Sequence, residues 1–563
     1  MKLILKEYLR SLKERDELDR ILPDLLSQMG ANVFVSPIRG RREYGVDVAC
    51  FGKLENDEVE KIYLFSIKSG DLTRNVWDGN SDQSLRQSMN EIFDVFIQRR
   101  IPVQYRGKEI VVCPCFGGNN LIQDEITGFM DRYLKLNEIS FSIWDGDKLA
   151  GFIQDYFLRE DIAPDDIKSL LRKSLAMVDE PEISILHFKK LVKHLFSRKM
   201  KSKDDYLTVF RQIYIYTSIL WIWARNENNT ESAYISSEFV ILHAWNSYKK
   251  YIGDKKIRGN CPVYQQLISL IMLHMRISEE YIQRAIIPLS QEKYLLSSSI
   301  GLSSVDINLK LFDILSRVSL LGIWNSWLYQ RVNEEHKDFL ANRHYDLTNL
   351  VWGVIVNNSS LYSPYMDNQI IDISIAMIFL RSSKDINTNN MIGWLNQIID
   401  NCAFCLNQRR RHITTINNYR DLIDFIEFSG DRNKFEKLTS ASAFYPYLFL
   451  FLSQLKGELG TNRISSIKEK LLPHCNFQVF FFNHISEDYL YNNEEIHGAT
   501  LPNVDVSSPE KFLEQLNFEV NNQKENFENI SAIKHGFYPI ALLACRHYRL
   551  PVPINFFLTG DSN

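Results

Sequence analysis

Three short runs of β-branched and aromatic residues follow one another with no helical stripe between them: Val33-Phe34-Val35, Val46 to Phe51 and Ile62 to Ile67. Separated by polar or glycine-containing turns, they read as three successive strands. A chain that opens this way must build a sheet, and the flanking segments decide which kind. Before them, Leu18, Ile21, Leu22, Leu25, Leu26 and Met29 recur at helical spacing, with Gly30 as a C-terminal stop. After them, Leu85, Met89, Ile92, Phe93 and Phe96 share one face of a helix over Gln83 to Gln98, and Glu109 to Cys113 is another buried strand. A helix over Gln123 to Leu136, a strand over Ile139 to Trp144 and a helix over Asp147 to Phe157 complete the series. The order α-β-β-β-α-β-α-β-α predicts an α/β domain with a mixed sheet flanked by helices.

The pattern changes near residue 160. Arg159-Glu160-Asp161 with Pro164, and later Glu180-Pro181-Glu182, predict a boundary with a short helix inside it. Beyond it, apolar stripes at helical spacing dominate: Ile185 to Leu195, Asp205 to Ala224, Glu238 to Tyr251, Val263 to Met275, Val305 to Leu321, Ile370 to Leu380 and Ser442 to Leu455. No fixed period relates them, which removes a regular solenoid. The expected layout is an α/β domain over residues 1–160, a linker over 161–184 and a large all-α domain over 185–563. A length of 563 residues leaves ample core for both.

Charge narrows the partners. The chain carries 65 Lys and Arg against 69 Asp and Glu, and its first 160 residues carry 22 against 26. Any contact with nucleic acid must therefore be local, as at Arg39, Arg41 and Arg42. Eight cysteines without framework spacing favour free thiols and a reducing, cytoplasmic setting. Met1 to Glu7 is too charged for a signal-peptide core. The most apolar stretches, Gln212 to Ala224 and Ser442 to Leu452, fall short of the ~20 residues that span a bilayer, so no membrane is expected.

The chemistry concentrates in Arg39-Gly40-Arg41-Arg42-Glu43-Tyr44-Gly45-Val46-Asp47-Val48, followed by Tyr63-Leu64-Phe65-Ser66-Ile67-Lys68. An acid and a lysine sit on adjacent strands. Phosphodiester hydrolysis needs a hard cation to neutralise developing charge and a group that addresses the attacking water. Asp47 suits the first role and Lys68 the second. The competing reading is a cross-strand ion pair on a solvated face. Lys68, however, closes a strand that is apolar at most positions. On the next helix, Gln83, Arg86, Gln87 and Asn90 share a face that could meet phosphate or bases, or simply solvent.

Helix, strand, Gly45-Val46-Asp47, hairpin, and an apolar strand ending in Ser66-Ile67-Lys68 resemble the PD-(D/E)XK nucleases, particularly the Mrr-like restriction endonuclease branch. The resemblance spans about residues 15 to 157. It includes Leu25-Leu26-Ser27-Gln28-Met29-Gly30 in the first helix and Ile143-Trp144-Asp145-Gly146-Asp147-Lys148-Leu149 at the close. It implies a restriction endonuclease-like fold and a metal-dependent DNA endonuclease using Mg²⁺ or Mn²⁺. Asp47, Ser66 and Lys68 would be the catalytic residues, and Asp47 with the Ile67 backbone carbonyl would hold the metal. Arg39, Arg41, Arg42, Arg86 and Gln87 would meet DNA. Ser66 departs from the family, standing where a second acid or an amide is usual. Glu17, Asp19 or Glu43 could replace the missing charge. By the same resemblance the chain would act as a regulated effector in antiviral defence. The alternative is a nuclease-fold scaffold that binds DNA or protein without cutting.

Other signals are weaker. Cys402 and Cys405 with His412 have local metal-like spacing but no second pair, and core thiols explain them. Cys113-Pro114-Cys115 lacks the two-residue gap of a redox pair. Arg409-Arg410-Arg411 suits a solvated helix end, or contact with nucleic acid or an acidic partner. No phosphate-binding glycine loop occurs, so any NTPase needed is expected on another chain, as a partner protein. A homo-oligomer is also compatible with the sequence.

Overall fold

The computed structural model describes residues 2–37, 44–54, 57–79, 84–137, 139–157, 165–253, 259, 261–301, 303–383, 386–408, 419–420, 422–423 and 432–558. Two compact units divide the chain, Met1–Ser232 and Ala233–Asn563.

The first unit opens with a helix that the sequence reading did not include, α1 (Lys2–Ser11), which buries Leu5, Tyr8 and Leu9. A π-helical turn, Glu14–Leu18, then runs into α2 (Asp19–Gln28). The strands are β1 (Asn32–Val35), β2 (Val48–Gly52), β3 (Lys61–Lys68), β4 (Ile110–Phe116) and β5 (Ile139–Phe141). They form one sheet in the order β1-β2-β3-β4-β5, antiparallel across the first three and parallel from β3 to β5. The parallel connections carry α3 (Arg74–Asp78) and α4 (Leu85–Glu91, continued through a π-turn Ile92–Phe96) between β3 and β4, and α5 (Gln123–Asn137) between β4 and β5. α6 (Gly146–Phe152) follows, capped by Asp145 through the Lys148 amide. The mixed sheet and its flanking helices match the expected order. β5 is shorter than expected and ends at Phe141, while Trp144 makes only an isolated bridge to Cys115.

Both faces of β3 are buried. Ile62 and Leu64 join Val112, Met89, Ile92, Phe93 and Phe129 in one core. Phe65 points the other way and meets Trp144 edge-on, with ring centroids 4.9 Å apart. Alternation along the strand assigns these residues to opposite faces.

Three further helices, α7 (Asp165–Ala176), α8 (Pro181–Phe196) and α9 (Lys203–Asn226), belong to the same unit as the sheet. The two compact units divide after residue 232, with residues 161–184 inside the first. Packing is the reason: Arg225 of α9 donates to Ser11 O and pairs with Glu17 at 3.3 Å, and both side chains are about nine-tenths buried. A polar loop marks a turn in the chain, while compactness follows such contacts.

In the second unit the principal helices are α10 (Glu231–Ile252, which begins across the division), α11 (Pro262–Tyr281), α12 (Ser304–Tyr329), α13 (Glu334–Asn357), α14 (Ile370–Ser382), α15 (Thr388–Gln408), α16 (Phe444–Leu455) and α17 (Tyr538–Tyr548). α12 is buried almost all round, as a central helix must be. The expected all-α character needs a correction, because two small sheets interrupt it. Ala441–Ser442 pairs with Asn476–Phe477, and Val479–Phe481 pairs with Ala499–Leu501. Pairs of two or three residues are too short to leave a period-two signal in the sequence. The core also holds charge: Arg546 donates to Glu238, Asp313 and Ser316, and Arg549 grips Asp372 with bonds of 2.9 and 2.7 Å.

Candidate functional site

The approach to β2 fixes Asp47. Tyr44 and Gly45 both have positive φ, 51° and 77°. At Gly45 a Cβ would lie 2.1 Å from the Ser88 carbonyl oxygen of α4, so only glycine fits. The turn delivers Asp47 to the end of β3, where its amide donates to Phe65 O at 2.9 Å and its Oδ2 accepts the Ile67 N–H at 2.6 Å. Because the N–H and C=O of one strand residue point the same way, the Ile67 carbonyl lies on this same edge of β3. Cys115, aligned with Ile67 on β4, has its thiol pushed far up, first by burial and then by the charge of Asp47.

Lys68 ends β3 and is only 8% exposed. Its Nζ lies 3.1 Å from Oε1 of Glu14, the first residue of the π-helical turn. Asp47 and Glu14 thus bond to successive residues of one strand end. Glu14 was not among the acids expected from the sequence. The available signal was the charged run Lys13-Glu14-Arg15-Asp16-Glu17 just ahead of the apolar stripe, but a π-turn inserts a residue and changes which side chain faces the sheet.

Glu17 is committed elsewhere. Its Oε2 accepts the Lys13 amide at 2.8 Å and its Oε1 faces Arg225. Asp19 stands in the first turn of α2, where the helix dipole favours a carboxylate. Glu43, Arg39, Arg41, Arg42, Gln83, His412 and Arg409 to Arg411 lie outside the described residues. Ser66 is 1% exposed, and its Oγ has no hydrogen-bond partner among the described residues. The hydroxyl that stands where a second acid was expected is therefore closed off from solvent.

Arg86 pairs with Asp78 at 2.5 Å on a largely exposed surface, and Gln87 beside it is exposed. Asn90 accepts the Tyr133 hydroxyl at 3.3 Å. Past Lys68, Asp71 accepts the Asn119 amide at 2.8 Å and Arg10 at 2.7 Å, and these donors, the Asn119 amide foremost, hold its carboxyl below the usual range. This pin ties α1 to the turn after β4. None of the eight cysteines forms a disulfide, and Cys402 is a buried core thiol whose pKa burial raises well above its ordinary value.

For a hard cation the strand end offers the Asp47 and Glu14 carboxylates and the Ile67 carbonyl, all oxygen donors of the kind Mg²⁺ and Mn²⁺ prefer. No group of three His, Cys, Asp or Glu side chains placed to hold a metal occurs among the described residues. Comparison with known proteins returns no match, whether to family models, to curated proteins or to solved structures.

Proposed function

We propose that the first unit is a cation-dependent DNA-cleaving domain of the restriction endonuclease-like class, and that the second unit controls it or recruits its partner. The observation that carries this reading is that Asp47 and Glu14 bond to two successive residues at the end of β3, Asp47 to the Ile67 amide and Glu14 to the shielded Lys68 ammonium. On this reading Glu14 would stand in for the carboxylate that Ser66 does not provide.

On this reading Asp47, Glu14 and the Ile67 carbonyl would hold the cation, which would neutralise charge developing on the phosphate. Lys68 would hold the attacking water by hydrogen bonding and keep a positive charge near the phosphate, and the water's proton would pass to solvent. The water oxygen would form the new bond to phosphorus as the bond to the leaving sugar oxygen breaks, and that oxygen would take up a proton from solvent. A free nuclease would damage its host, so control by the second unit or a partner protein, as in a regulated defence effector, is part of the proposal.

The test is nicking of supercoiled plasmid by the full chain with Mg²⁺ or Mn²⁺. Cleavage should stop with EDTA and with Asp47→Ala or Lys68→Ala in well-folded protein. Full activity in Asp47→Ala would overturn the assignment. The sealed Ser66 hydroxyl favours a second reading, a domain that binds DNA without cutting; DNA binding with no cleavage in either metal would establish it.

A further inference from the structure

We propose that the second unit binds a small phosphate ester bearing hydroxyl groups, a nucleotide or a sugar phosphate, in a cleft between the start of α12, the end of α13 and α15. The cleft holds about 440 Å³, within the range of small-molecule sites. Among the described residues no carboxylate lines it, and Lys293 is its one cation. An anion is therefore the favoured guest.

The wall is rigid. Four successive backbone carbonyls of the turn after α13 are each held by a side chain from another helix. Asn308 of α12 donates to Ser360 O at 3.0 Å and to Ser363 O at 2.9 Å. Trp394 of α15 donates to Leu361 O at 3.1 Å, and Asn401 of the same helix to Tyr362 O at 2.8 Å. Asn308 is itself fixed through its Oδ1 by Gln369 at 2.8 Å. With the backbone bound on one side, the side chains are left for the cleft. The hydroxyls of Tyr294, Ser360, Tyr362 and Ser363, the Gln397 amide and the Lys293 ammonium have no hydrogen-bond or ion-pair partner among the described residues. A fixed frame carrying uncommitted donors and acceptors is the pre-organisation that a polar ligand needs.

The opposite rim is strained. Tyr294 has φ +65°, an outlier for a bulky aromatic residue, and is held there by its amide bond to Asn357 O at 2.9 Å. Asn357 is anchored in turn by donating to Ser290 O at 2.9 Å. The strained turn sets the neighbouring Lys293 and the Tyr294 ring at the mouth of the cleft. Lysine serves phosphate as a point charge, the serine hydroxyls and Gln397 amide suit sugar hydroxyls, and the tyrosine rings can stack on a planar base.

Isothermal titration of the full chain with the four nucleoside monophosphates, ribose 5-phosphate, adenosine and inorganic phosphate tests this. A monophosphate or ribose 5-phosphate should bind saturably, one per chain, and more tightly than adenosine or inorganic phosphate. Tighter binding of a nucleotide than of ribose 5-phosphate would identify a nucleotide, and equal binding a sugar phosphate. Lys293→Ala and Gln397→Ala are exposed substitutions that should leave the melting temperature unchanged. Lys293→Ala should weaken binding about tenfold or more, the scale of a lost charged hydrogen bond, and Gln397→Ala should weaken it too. Asp47→Ala should have no effect on it. No saturable binding of any phosphate ester, or binding that survives both Lys293→Ala and Gln397→Ala, would overturn the proposal.

Discussion

Replacing Gly45 by alanine tests how Asp47 is placed, and Gly30 supplies an internal control. Both glycines have positive φ, 77° and 92°. A Cβ at Gly30 would meet nothing within 4 Å, whereas at Gly45 it would lie 2.1 Å from Ser88 O and 3.1 Å from Ile92 Cγ1. Gly30→Ala therefore carries only the left-handed backbone cost, about 1–2 kcal/mol. Gly45→Ala adds an overpacking term of about 1–3 kcal/mol, because the obstacle is helix backbone and cannot rotate aside. The expected difference between the variants is about 2 kcal/mol, or about thirtyfold in an opening equilibrium. Hydrogen exchange read by mass spectrometry on peptides covering β3 measures it locally, without requiring the whole chain to unfold in one step. The β3 amides should exchange about thirtyfold faster in Gly45→Ala than in Gly30→Ala, and plasmid nicking should fall in Gly45→Ala alone. Equal exchange in the two variants would refute the packing argument for the turn.

Three further outcomes follow from buried polar groups. Ser66→Ala removes a hydroxyl with no partner, so stability should hold or rise by up to about 1 kcal/mol in urea titration and nicking should persist; loss of either would give Ser66 a role that its burial denies. Arg546→Ala leaves Glu238 buried without its main partner and should cost about 3–5 kcal/mol in calorimetric unfolding. Burial holds the His274 imidazole down to about 4, beside Ser237 at 2.8 Å and with Glu238, Arg546 and His547 acting on it. The unfolded chain takes up that proton below about pH 6.5 and the folded chain does not, so stability should fall by up to roughly 3 kcal/mol as pH drops toward 4. His274→Gln should flatten that slope, and an unchanged slope would assign the acid sensitivity to other groups.

The elements legible in the sequence are those whose burial repeats along the chain. β2, β3 and β4 were readable as apolar runs because the sheet is covered on both faces, and the second-unit helices because their stripes run for many turns. α1 carries the same signal, with Leu5, Tyr8, Leu9 and Leu12 at helical spacing, although charged residues at Lys2, Lys6 and Glu7 interrupt its apolar run. Asp47 and Lys68 could be singled out because strand pairing makes neighbours of residues at fixed positions. Glu14 could not, since its approach depends on a π-turn that leaves no composition signature, and the commitment of Glu17 to Arg225 depends on a helix far along the chain. The cleft of the second unit was invisible for the same reason: Asn308, Trp394 and Asn401 are unremarkable on their own helices and acquire a purpose only by meeting one turn.

The bond between Arg225 and Glu17 bears on how such a chain could have been assembled in evolution. A sheet domain that ended with its last covering helix, near residue 160, could be exchanged among proteins as a cassette. Here a carboxylate within the candidate site's own π-turn is neutralised by an arginine some two hundred positions later. Cutting between them leaves Glu17 buried beside Leu18 without its counter-charge. A piece that ended at residue 232 would keep the pair together, so the shortest length of chain that leaves Glu17 neutralised runs well past the last strand of the sheet.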